Sequence, residues 1–270
     1  MNATNKEHPI IDVENVVKTF AGVTALNNLS LSFTEGEITA LVGDNGAGKS
    51  TFIKCLSGLQ PPDSGRIRMN GEEVHLHDPR DSRRHGIETV YQDLGLVDDL
   101  NVWENLHLSR ELRRRGPLAT LLDRSRMRKH AREMLAHLGA EHRIPVNGQV
   151  RWMSGGQRQA VAIARAVSWG AKVVILDEPT AALGVNERRE VHELIKRLKE
   201  KGITVILVSH NFEEIMSLAD QVWVFRQGTV VAGRRGADTS AAELVTLLTG
   251  SLTPDEQLVH EKSGSELKQG

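Results

Sequence analysis

The spacing of apolar residues divides the chain into three stretches. In the first, apolar and polar residues alternate, as in residues 29–33, and this two-residue period predicts a half-buried antiparallel strand. Residues 66–76 contain two short strand-like runs around Asn70-Gly71, a pair that is typical of a tight hairpin turn. Between these two regions, residues 38–58 predict an apolar strand, a glycine-rich loop and a helix.

The second stretch, from about residue 99 to residue 148, has apolar residues at helical spacing among many Arg, Glu, Leu and His residues. We interpret it as part of a helical subdomain inserted over about residues 99–165. Its basic run, Arg113–Arg115, lies in polar, helix-like sequence and is predicted to be a solvent-exposed face. The net charge of the whole chain is −1, so the composition does not indicate a nucleic-acid partner.

The third stretch contains two continuous apolar runs, residues 172–177 and 204–209, separated by a helix-like run at 186–202. Fully apolar strands joined by a helix indicate βαβ units and a buried parallel sheet. A predicted hairpin at 221–233 and a short helix at 240–250 follow. We therefore predict an α/β fold in which a mixed sheet core carries an antiparallel β subdomain and the helical insertion.

The composition fits one large domain in a reducing compartment. A chain of 270 residues can bury a sizeable core, and we expect the domain to cover residues 8–250, followed by a polar, mobile tail at 251–270. The single cysteine excludes an internal disulfide. The N-terminus lacks the apolar core of a signal peptide, and the longest apolar runs are too short to cross a bilayer. We therefore expect a protein that is soluble in isolation, is cytoplasmic, and reaches a membrane only through a partner.

The glycine-rich loop has the sequence GDNGAGKS, which matches the phosphate-binding pattern G-x-x-x-x-G-K-[ST] between a predicted strand and a predicted helix. Backbone N–H groups can surround phosphates, Lys49 can neutralise their charge, and the Ser50 hydroxyl can ligate Mg²⁺. The plain alternative is a glycine-rich turn with a chance lysine, and the flanking strand and helix argue against it. The predicted nucleotide contacts are Gly43, Asp44, Asn45, Gly46, Ala47, Gly48, Lys49, Ser50 and Thr51.

Two adjacent carboxylates follow an apolar strand in the segment VVILDEPT. Asp177 ends this strand and is expected at the ligand edge of the sheet, where it can hold the metal beside Ser50. Glu178 comes next and points differently, so it can orient and deprotonate an attacking water. A strand exit without chemistry is the alternative, and it becomes minor beside a phosphate loop.

Three further side chains are candidates that also have a plainer interpretation. Gln92 and His210 each follow a predicted strand of the same sheet, so both are expected at the same edge. There Gln92 can meet the metal or the attacking water, and His210 can donate to the γ-phosphate; otherwise both are ordinary surface residues. Phe20, upstream of the phosphate loop, is either a core residue or a platform on which a base stacks.

A second segment with paired glycines, MSGGQ, begins a helix-like run whose apolar residues recur on one face. Ser154 and Gln157 fit a capping box, in which each side chain bonds to a backbone N–H group of the first turn. The cap does not explain Gly155 and Gly156, because glycine disfavours helix. Bare N–H groups at the positive end of a helix bind anions. The segment is therefore either a cap alone or an anion site as well.

The ordered set GDNGAGKST, Gln92, MSGGQRQ, VVILDEPT and His210 resembles the nucleotide-binding subunits of ATP-binding cassette (ABC) transporters, from about residue 10 to residue 250. The resemblance implies that the SGGQ segment contacts ATP held by the phosphate loop of a second subunit in a head-to-tail homodimer. It also implies that Phe20 stacks on adenine. Gln92 matches the glutamine of the loop that joins the catalytic core to the membrane partner, with residues 93–105 near that contact.

Two positions depart from the usual pattern of this family. Met153 replaces the commoner leucine, which conserves volume. Gly184 stands where most members have the aspartate of the D-loop. Within the family, the segment EPTAALGV resembles subunits of monosaccharide importers of the ribose, xylose and fructose kind. Many of those relatives carry two cassettes on one chain, and this chain has one.

The resemblance therefore implies an ATPase that uses ATP and Mg²⁺ to energise sugar import. Its expected partners are a membrane permease, a solute-binding protein in the full importer and a second copy of itself. An importer of another polar solute is the first alternative, because the cassette never touches the solute. A non-transport ATPase of DNA repair or translation is the second, and a regulator without turnover is the third. The chain has neither coiled-coil arms nor tandem cassettes, which argues against a non-transport ATPase. It has Lys49, Asp177, Glu178 and His210, and their presence argues against a regulator without turnover.

Overall fold

The computed structural model describes residues 9–116 and 120–250. The strands are β1 (Pro9–Phe20), β2 (Val23–Thr34), β3 (Ile38–Gly43), β4 (Ser64–Met69), β5 (Glu72–Glu73), β6 (Ile87–Val90), β7 (Val173–Asp177), β8 (Thr204–Val208), β9 (Gln221–Arg226) and β10 (Thr229–Arg235). The helices are α1 (Lys49–Leu56), α2 (Pro79–Arg84), α3 (Val102–Leu106), α4 (Arg124–His137), α5 (Gly155–Val167), α6 (Val185–Glu200), α7 (Phe212–Leu218) and α8 (Ala241–Thr249). The predicted boundary at residue 8 and the predicted tail at 251–270 lie outside the described residues.

The strands form two sheets. The antiparallel sheet has the order β2-β1-β4-β5, and the larger sheet has the order β10-β9-β3-β8-β7-β6. In the larger sheet the strands from β9 to β6 are parallel, and β10 pairs antiparallel to β9 at one edge. The predicted mixed sheet with an antiparallel subdomain is confirmed, as are the two predicted hairpins.

The central strands of the larger sheet are buried on both faces, as their uninterrupted apolar runs predict. In β7, Val173 and Ile175 face a core shared with the antiparallel sheet, whereas Val174 and Leu176 face a core shared with helices. All four side chains are fully buried. The sheet is therefore the middle layer of the domain, and its edges are the places where functional side chains can be exposed.

Helix α1 lies in the core between the two sheets. The ring of Phe52 stacks on Phe33 of the antiparallel sheet at a centroid distance of 6.2 Å and lies 5.8 Å from Phe225 of the larger sheet. Such aromatic contacts add to the free energy of burial. Because α1 is held from both sides, the loop that precedes it is fixed at the carboxyl edge of β3.

Helices α3, α4 and α5 lie between β6 and β7 in the chain and share the core on the helical face of the sheet. The stripe predicted for α5 is buried and comprises Ala160, Ile163, Ala164 and Val167. The helical interpretation of Arg113–Arg115 is wrong. These residues are exposed as predicted, but Arg113 forms an isolated antiparallel bridge with Leu122. Gly116, at φ 72°, and the proline that follows it in sequence disfavour a helix there.

In residues 9–116 and 120–250, no helix has the combined length and apolar character needed to cross a membrane.

Candidate active site at the carboxyl edge of the sheet

The carboxyl ends of the parallel strands meet at one edge of the larger sheet. β3 ends at Gly43, β7 at Asp177 and β8 at Val208, and Asp177 is in register with Val208. The backbone N–H of Glu178 donates to the carbonyl oxygen of Val208 at 2.9 Å. His210 follows β8 by two residues. The structure therefore brings the phosphate loop, both carboxylates and the histidine to the same edge.

The phosphate loop leads into α1, whose N-terminus has no side-chain cap. Gly48 immediately precedes this helix and has φ 106°. A Cβ atom at Gly48 would lie 2.9 Å from the carbonyl oxygen of Ala25, so both the backbone angle and the space require glycine. The uncapped N–H groups are at the positive end of the helix, which is an arrangement that binds phosphate.

Lys49 extends back across the loop. Its Nζ donates to the carbonyl oxygens of Gly43 at 2.6 Å and of Asp44 at 3.1 Å. Burial lowers the pKa of Lys49, and the nearby carboxylates of Glu178, Asp44 and Asp177 oppose this shift. The ammonium group is therefore within electrostatic reach of both strand-end carboxylates, at the start of α1.

The carboxylate of Asp177 has the character of a cation ligand. Burial raises its pKa, the charge of Glu178 raises it further, and Lys49 opposes both. No hydrogen-bond donor among the described residues contributes to this pKa. A half-buried carboxylate without donors, within electrostatic reach of Lys49 at the start of α1, suits a divalent cation bound through oxygen atoms. The residues present therefore fit Mg²⁺.

The described residues contain no cluster of three or more His, Cys, Asp or Glu side chains that could hold a metal by itself. A cation at Asp177 and Ser50 would therefore take its other ligands from other groups, such as the amide of Gln92, phosphate oxygens and water. Mg²⁺ commonly binds in this way in phosphoryl-transfer sites.

Glu178 and His210 contact each other. Nδ1 of His210 is 3.0 Å from Oε1 of Glu178. An ionised carboxylate only accepts hydrogen bonds, so Nδ1 is the donor when Glu178 is ionised. The side chain of His210 is 68% exposed and that of Glu178 is 26% exposed, so the pair faces solvent at the sheet edge. Glu178 has φ 50°, which is unusual for a residue with a side chain. Because of this backbone conformation, the side chain of Glu178 points in a different direction from that of Asp177.

Phe20 is 39% exposed at the end of β1, so the interpretation as a core residue is wrong. The Nζ of Lys18 lies 5.5 Å from the centre of its ring. The β1–β2 hairpin that carries Phe20 is joined to the phosphate loop through Gly228. The N–H of Gly228 donates to Ala47 at 3.0 Å, and its carbonyl accepts from Asn27 at 2.8 Å. An exposed ring on a hairpin that is joined to a phosphate loop is suited to stacking on a base.

The cap predicted at the start of α5 is confirmed. The N–H of Gln157 donates to Oγ of Ser154 at 3.3 Å, and the N–H of Ser154 donates to Oε1 of Gln157 at 3.1 Å. Nε2 of Gln157 also donates to the carbonyl oxygen of Arg143 at 2.8 Å. Among the described residues, no hydrogen bond joins Ser154–Gln157 to the phosphate loop. Within one subunit, the segment Ser154–Gln157 and the phosphate loop are therefore not joined to each other, although both are predicted to contact nucleotide.

A carboxylate that the sequence analysis missed lies at the start of α5. Glu187 in α6 accepts from the N–H groups of Gly184 at 3.2 Å and of Gly156 at 3.5 Å. These contacts and one with Ser154 lower the pKa of Glu187, with the Gly184 bond contributing most. The N-terminus of α5 therefore already has a negative charge beside it.

Gln92 is exposed and lies two residues beyond the end of β6. Because β6 pairs in parallel with β7, this position is at the same sheet edge as Asp177. The segment that follows is attached to α5: Arg165 donates to the carbonyl oxygens of Leu94 at 2.6 Å and Gly95 at 2.8 Å. A movement of this segment would therefore be transmitted to α5.

The family described as "ABC transporter" matches residues 26–181, which is more than half of the chain. The chain belongs to the ABC transporter family.

Three relatives show how far the similarity of this cassette extends. It is 41% identical to the fructose import ATP-binding protein FrcA of Rhizobium meliloti, over 94% of this chain and 98% of that protein. It is also 41% identical to the xylose/arabinose import ATP-binding protein XylG of Sulfolobus acidocaldarius, over 89% of this chain and 94% of that protein. The ribose import ATP-binding protein RbsA 1 of Rubrobacter xylanophilus is 42% identical, but the match covers only 47% of its length.

Solved structures have the same fold. A nucleotide-free ATP-binding cassette from an ABC transporter superposes with a TM-score of 0.75 at 26% identity, over 90% of this chain and 96% of that chain. The dimeric structure of a bacterial ABC transporter cassette gives a TM-score of 0.69 at 28% identity, over 83% of this chain and 98% of that chain.

The cassette also contains a buried carboxylate that the sequence analysis missed. Glu214 in α7 is only 1% exposed and accepts hydrogen bonds from Ser209, Thr180 and His192. Burial alone would raise its pKa, but these bonds outweigh burial and lower it, so the group is ionised at neutral pH. The α7 sequence, FEEIMSL, contains adjacent glutamates in under two turns, and nothing in this pattern marks one of them as buried.

Proposed function

We propose that this chain is the ATP-binding and ATP-hydrolysing subunit that energises import of a monosaccharide through a separate membrane permease. The observation that carries the proposal is the convergence of Lys49, Asp177, Glu178 and His210 at one sheet edge, beside an uncapped helix N-terminus. The sugar class is supported by relatives that are named as fructose and xylose/arabinose import proteins and that this chain covers almost completely.

In this proposal the phosphates of ATP bind at the start of α1, where backbone N–H groups and Lys49 face them. Phe20 stacks on the adenine. Ser50 and Asp177 would hold Mg²⁺, with Gln92 near it, and the ion would neutralise charge on the β- and γ-phosphates. Glu178 orients the attacking water and accepts its proton, while His210 donates to the γ-phosphate.

The proposed active unit is a head-to-tail homodimer. Ser154, Gly155, Gly156 and Gln157 of one subunit contact the nucleotide on the phosphate loop of the other. Support comes from the lack of hydrogen bonds between these two segments within one subunit, and from a solved cassette of this fold that is dimeric. ATP binding closes this dimer and hydrolysis reopens it.

The proposed permease contact lies beside β6. A cavity of about 280 Å³ there is bounded by Glu88, Arg110 and Trp169, among others. Arg110 donates to Glu88 at 2.7 Å and lies over the ring of Trp169. The cavity also contains Arg165, which holds the segment after Gln92, so a permease bound here can sense changes at the nucleotide. The cassette then works at the cytoplasmic face of the membrane, in a full importer that also includes a solute-binding protein.

Uptake of labelled sugar tests this function. Cells in which the chromosomal copy is replaced by wild-type or Glu178→Gln chain are given labelled ribose, xylose or fructose. We expect at least one sugar to enter wild-type cells and to be excluded by the variant, which binds ATP without turning it over. Equal uptake of all three sugars by both strains would rule out import of these monosaccharides. Phosphate release by the purified wild-type chain tests the ATPase activity separately.

A further inference from the structure

We propose that Glu214 is a positioning residue for ATP hydrolysis. It fixes the distance between Glu178 and His210 by binding the two segments that carry them. This inference rests on the proposed ATPase function and concerns the same site. Glu214 itself does not touch the reacting atoms.

The contacts of Glu214 connect three parts of the chain. Oε1 accepts from Oγ1 of Thr180 at 2.9 Å and from Nε2 of His192 at 3.0 Å. Oε2 accepts from Oγ of Ser209 at 2.6 Å. Since an ionised carboxylate only accepts hydrogen bonds, both hydroxyls and the imidazole must act as donors.

The position of each donor explains why these contacts matter for catalysis. Ser209 immediately precedes His210, and Thr180 lies two residues after Glu178. One carboxylate therefore ties together the turns that follow β7 and β8. Glu178 has a positive φ and His210 is largely exposed, so neither is fixed by packing alone. The 3.0 Å contact between their side chains depends on how these two turns are held.

His192 extends the connection to α6. Helix α6 begins directly after Gly184, and the N–H of Gly184 donates to Glu187 of the same helix. Glu187 in turn lies beside the N-terminus of α5. The bond from His192 to Glu214 therefore joins the hydrolytic pair to the helix that follows the D-loop position. Movement of α6 when two subunits close would reach Glu178 and His210 through this bond.

A purely structural carboxylate provides a matched control. Asp220 accepts from the N–H of Ile38 at 2.9 Å and from Nζ of Lys199 at 2.6 Å. It thus also joins a strand of the larger sheet to α6, but at the start of β3, on the edge opposite the candidate site. Asp220→Asn should weaken the fold in the same general way as Glu214→Gln without disturbing Glu178 and His210.

Steady-state kinetics separate positioning from general stability. Glutamine has one acceptor oxygen in place of two, so Glu214→Gln leaves at least one donor of this network unpaired. We expect kcat for ATP to fall about tenfold to a hundredfold, since small misplacements of reacting groups have effects of this size. KM should stay within about threefold, because the phosphate loop is untouched. Asp220→Asn should keep the wild-type kcat.

A second pair of variants covers the case in which Glu214→Gln does not fold. Thr180→Val removes one donor to Glu214, and Thr180→Ser restores it. We expect kcat to fall in the valine variant and to return in the serine variant. Wild-type kcat in both Thr180→Val and Glu214→Gln would overturn the proposal. So would an equal loss of kcat in Asp220→Asn.

A spectroscopic measurement gives an answer that does not depend on turnover. The imidazole signals of His210 in histidine-labelled protein can be assigned by comparison with a His210→Gln variant. We expect Glu214→Gln to shift them and Asp220→Asn to leave them in place. If the wild-type chain releases no phosphate from ATP, the proposed function fails, and this measurement then decides only whether Glu214 holds His210 in place. Unmoved His210 signals in Glu214→Gln would overturn that role.

Discussion

Two helices of this chain begin within glycine-containing motifs, and their N-termini differ in what they bind within the subunit. Helix α1 starts after Gly48, and no side chain caps it. Helix α5 starts after Ser154, is capped by Ser154 and Gln157, and has the carboxylate of Glu187 beside it. The first N-terminus is open to an anion, whereas the second is already partly neutralised by its own chain.

This difference implies unequal shares in nucleotide binding. In the proposed cycle, the phosphate loop binds ATP in a single subunit, because its donors are uncapped and Lys49 lies next to them. The α5 segment contributes only when a second subunit docks against it. Weak binding at α5 favours a dimer that reopens after hydrolysis. The unequal contributions of the two N-termini can be tested by the following substitutions.

The largest expected effect comes from removing the base on the phosphate-loop side. Glu178→Gln keeps the shape of the side chain but cannot accept the proton of water. We expect ATP to bind and phosphate release to fall at least about a hundredfold. Size-exclusion chromatography should then show dimers that accumulate with ATP. Hydrolysis near the wild-type rate would show that Glu178 is not the base.

The second change separates the two helix N-termini between subunits. Ser154→Arg blocks the α5 surface and Lys49→Ala disables the phosphate loop, so each homodimer should be inactive. Mixed heterodimers contain one intact composite site, and we expect ATPase activity to recover partly. Two different affinity tags confirm that heterodimers are present. If purified heterodimers stay as inactive as the parents, the head-to-tail arrangement is wrong.

A smaller effect is expected from Glu187, which makes the two N-termini unequal. Glu187→Gln removes a negative charge beside α5, and a negative charge at the positive end of a helix competes with any other anion that binds there. In the Glu178→Gln background, we expect ATP-dependent dimers to be a few-fold tighter by sedimentation velocity. Glu193→Gln is the control, because Glu193 pairs with Lys196 on the same helix at 3.1 Å. Equal tightening in both variants would mean that only net charge matters.

The smallest effect concerns stability on the phosphate-loop side. A carboxyl whose pKa is higher in the folded chain than its usual 3.8 binds more protons when folded, as Asp177 does. Its contribution to stability therefore falls as the pH rises from 3.8 through the raised pKa. We expect Asp177→Asn to melt a few degrees above wild type at pH 7.5 and at the same temperature at pH 3.5. A variant that melts at a lower temperature than wild type at pH 7.5 would contradict the prediction that the negative charge of Asp177 destabilises the fold.

Much of this arrangement could be predicted from the sequence, because the strongest patterns are local. The phosphate loop, the buried strands β7 and β8, and the capping box at Ser154 each combine a motif with the expected flanking element. Asp177 and His210 each follow a continuous apolar strand of the same predicted parallel sheet, and this predicted that both lie at one edge. These predictions required no knowledge of distant contacts.

The features that could not be predicted depend on residues far apart in the sequence. Glu187 reaches α5 only because α5 and α6 pack together, and Glu214 is buried only because α7 packs against α6 and the turns after β7 and β8. Helices α2 and α7 are under two turns long, which is too short for a helical period to be recognised. The helical prediction for the basic run at 113–115 was wrong for a different reason. Polar composition alone does not distinguish an exposed helix from an exposed loop.

The left-handed backbone at Glu178 has a consequence for engineering this enzyme. A residue with a side chain in this conformation costs roughly 1–2 kcal/mol relative to one that adopts it freely. Glycine would remove that cost, and asparagine would reduce it, so both substitutions should raise the melting temperature while abolishing turnover. Selection for stability alone would therefore discard this glutamate, and a library screened only by heat resistance should be enriched in inactive chains.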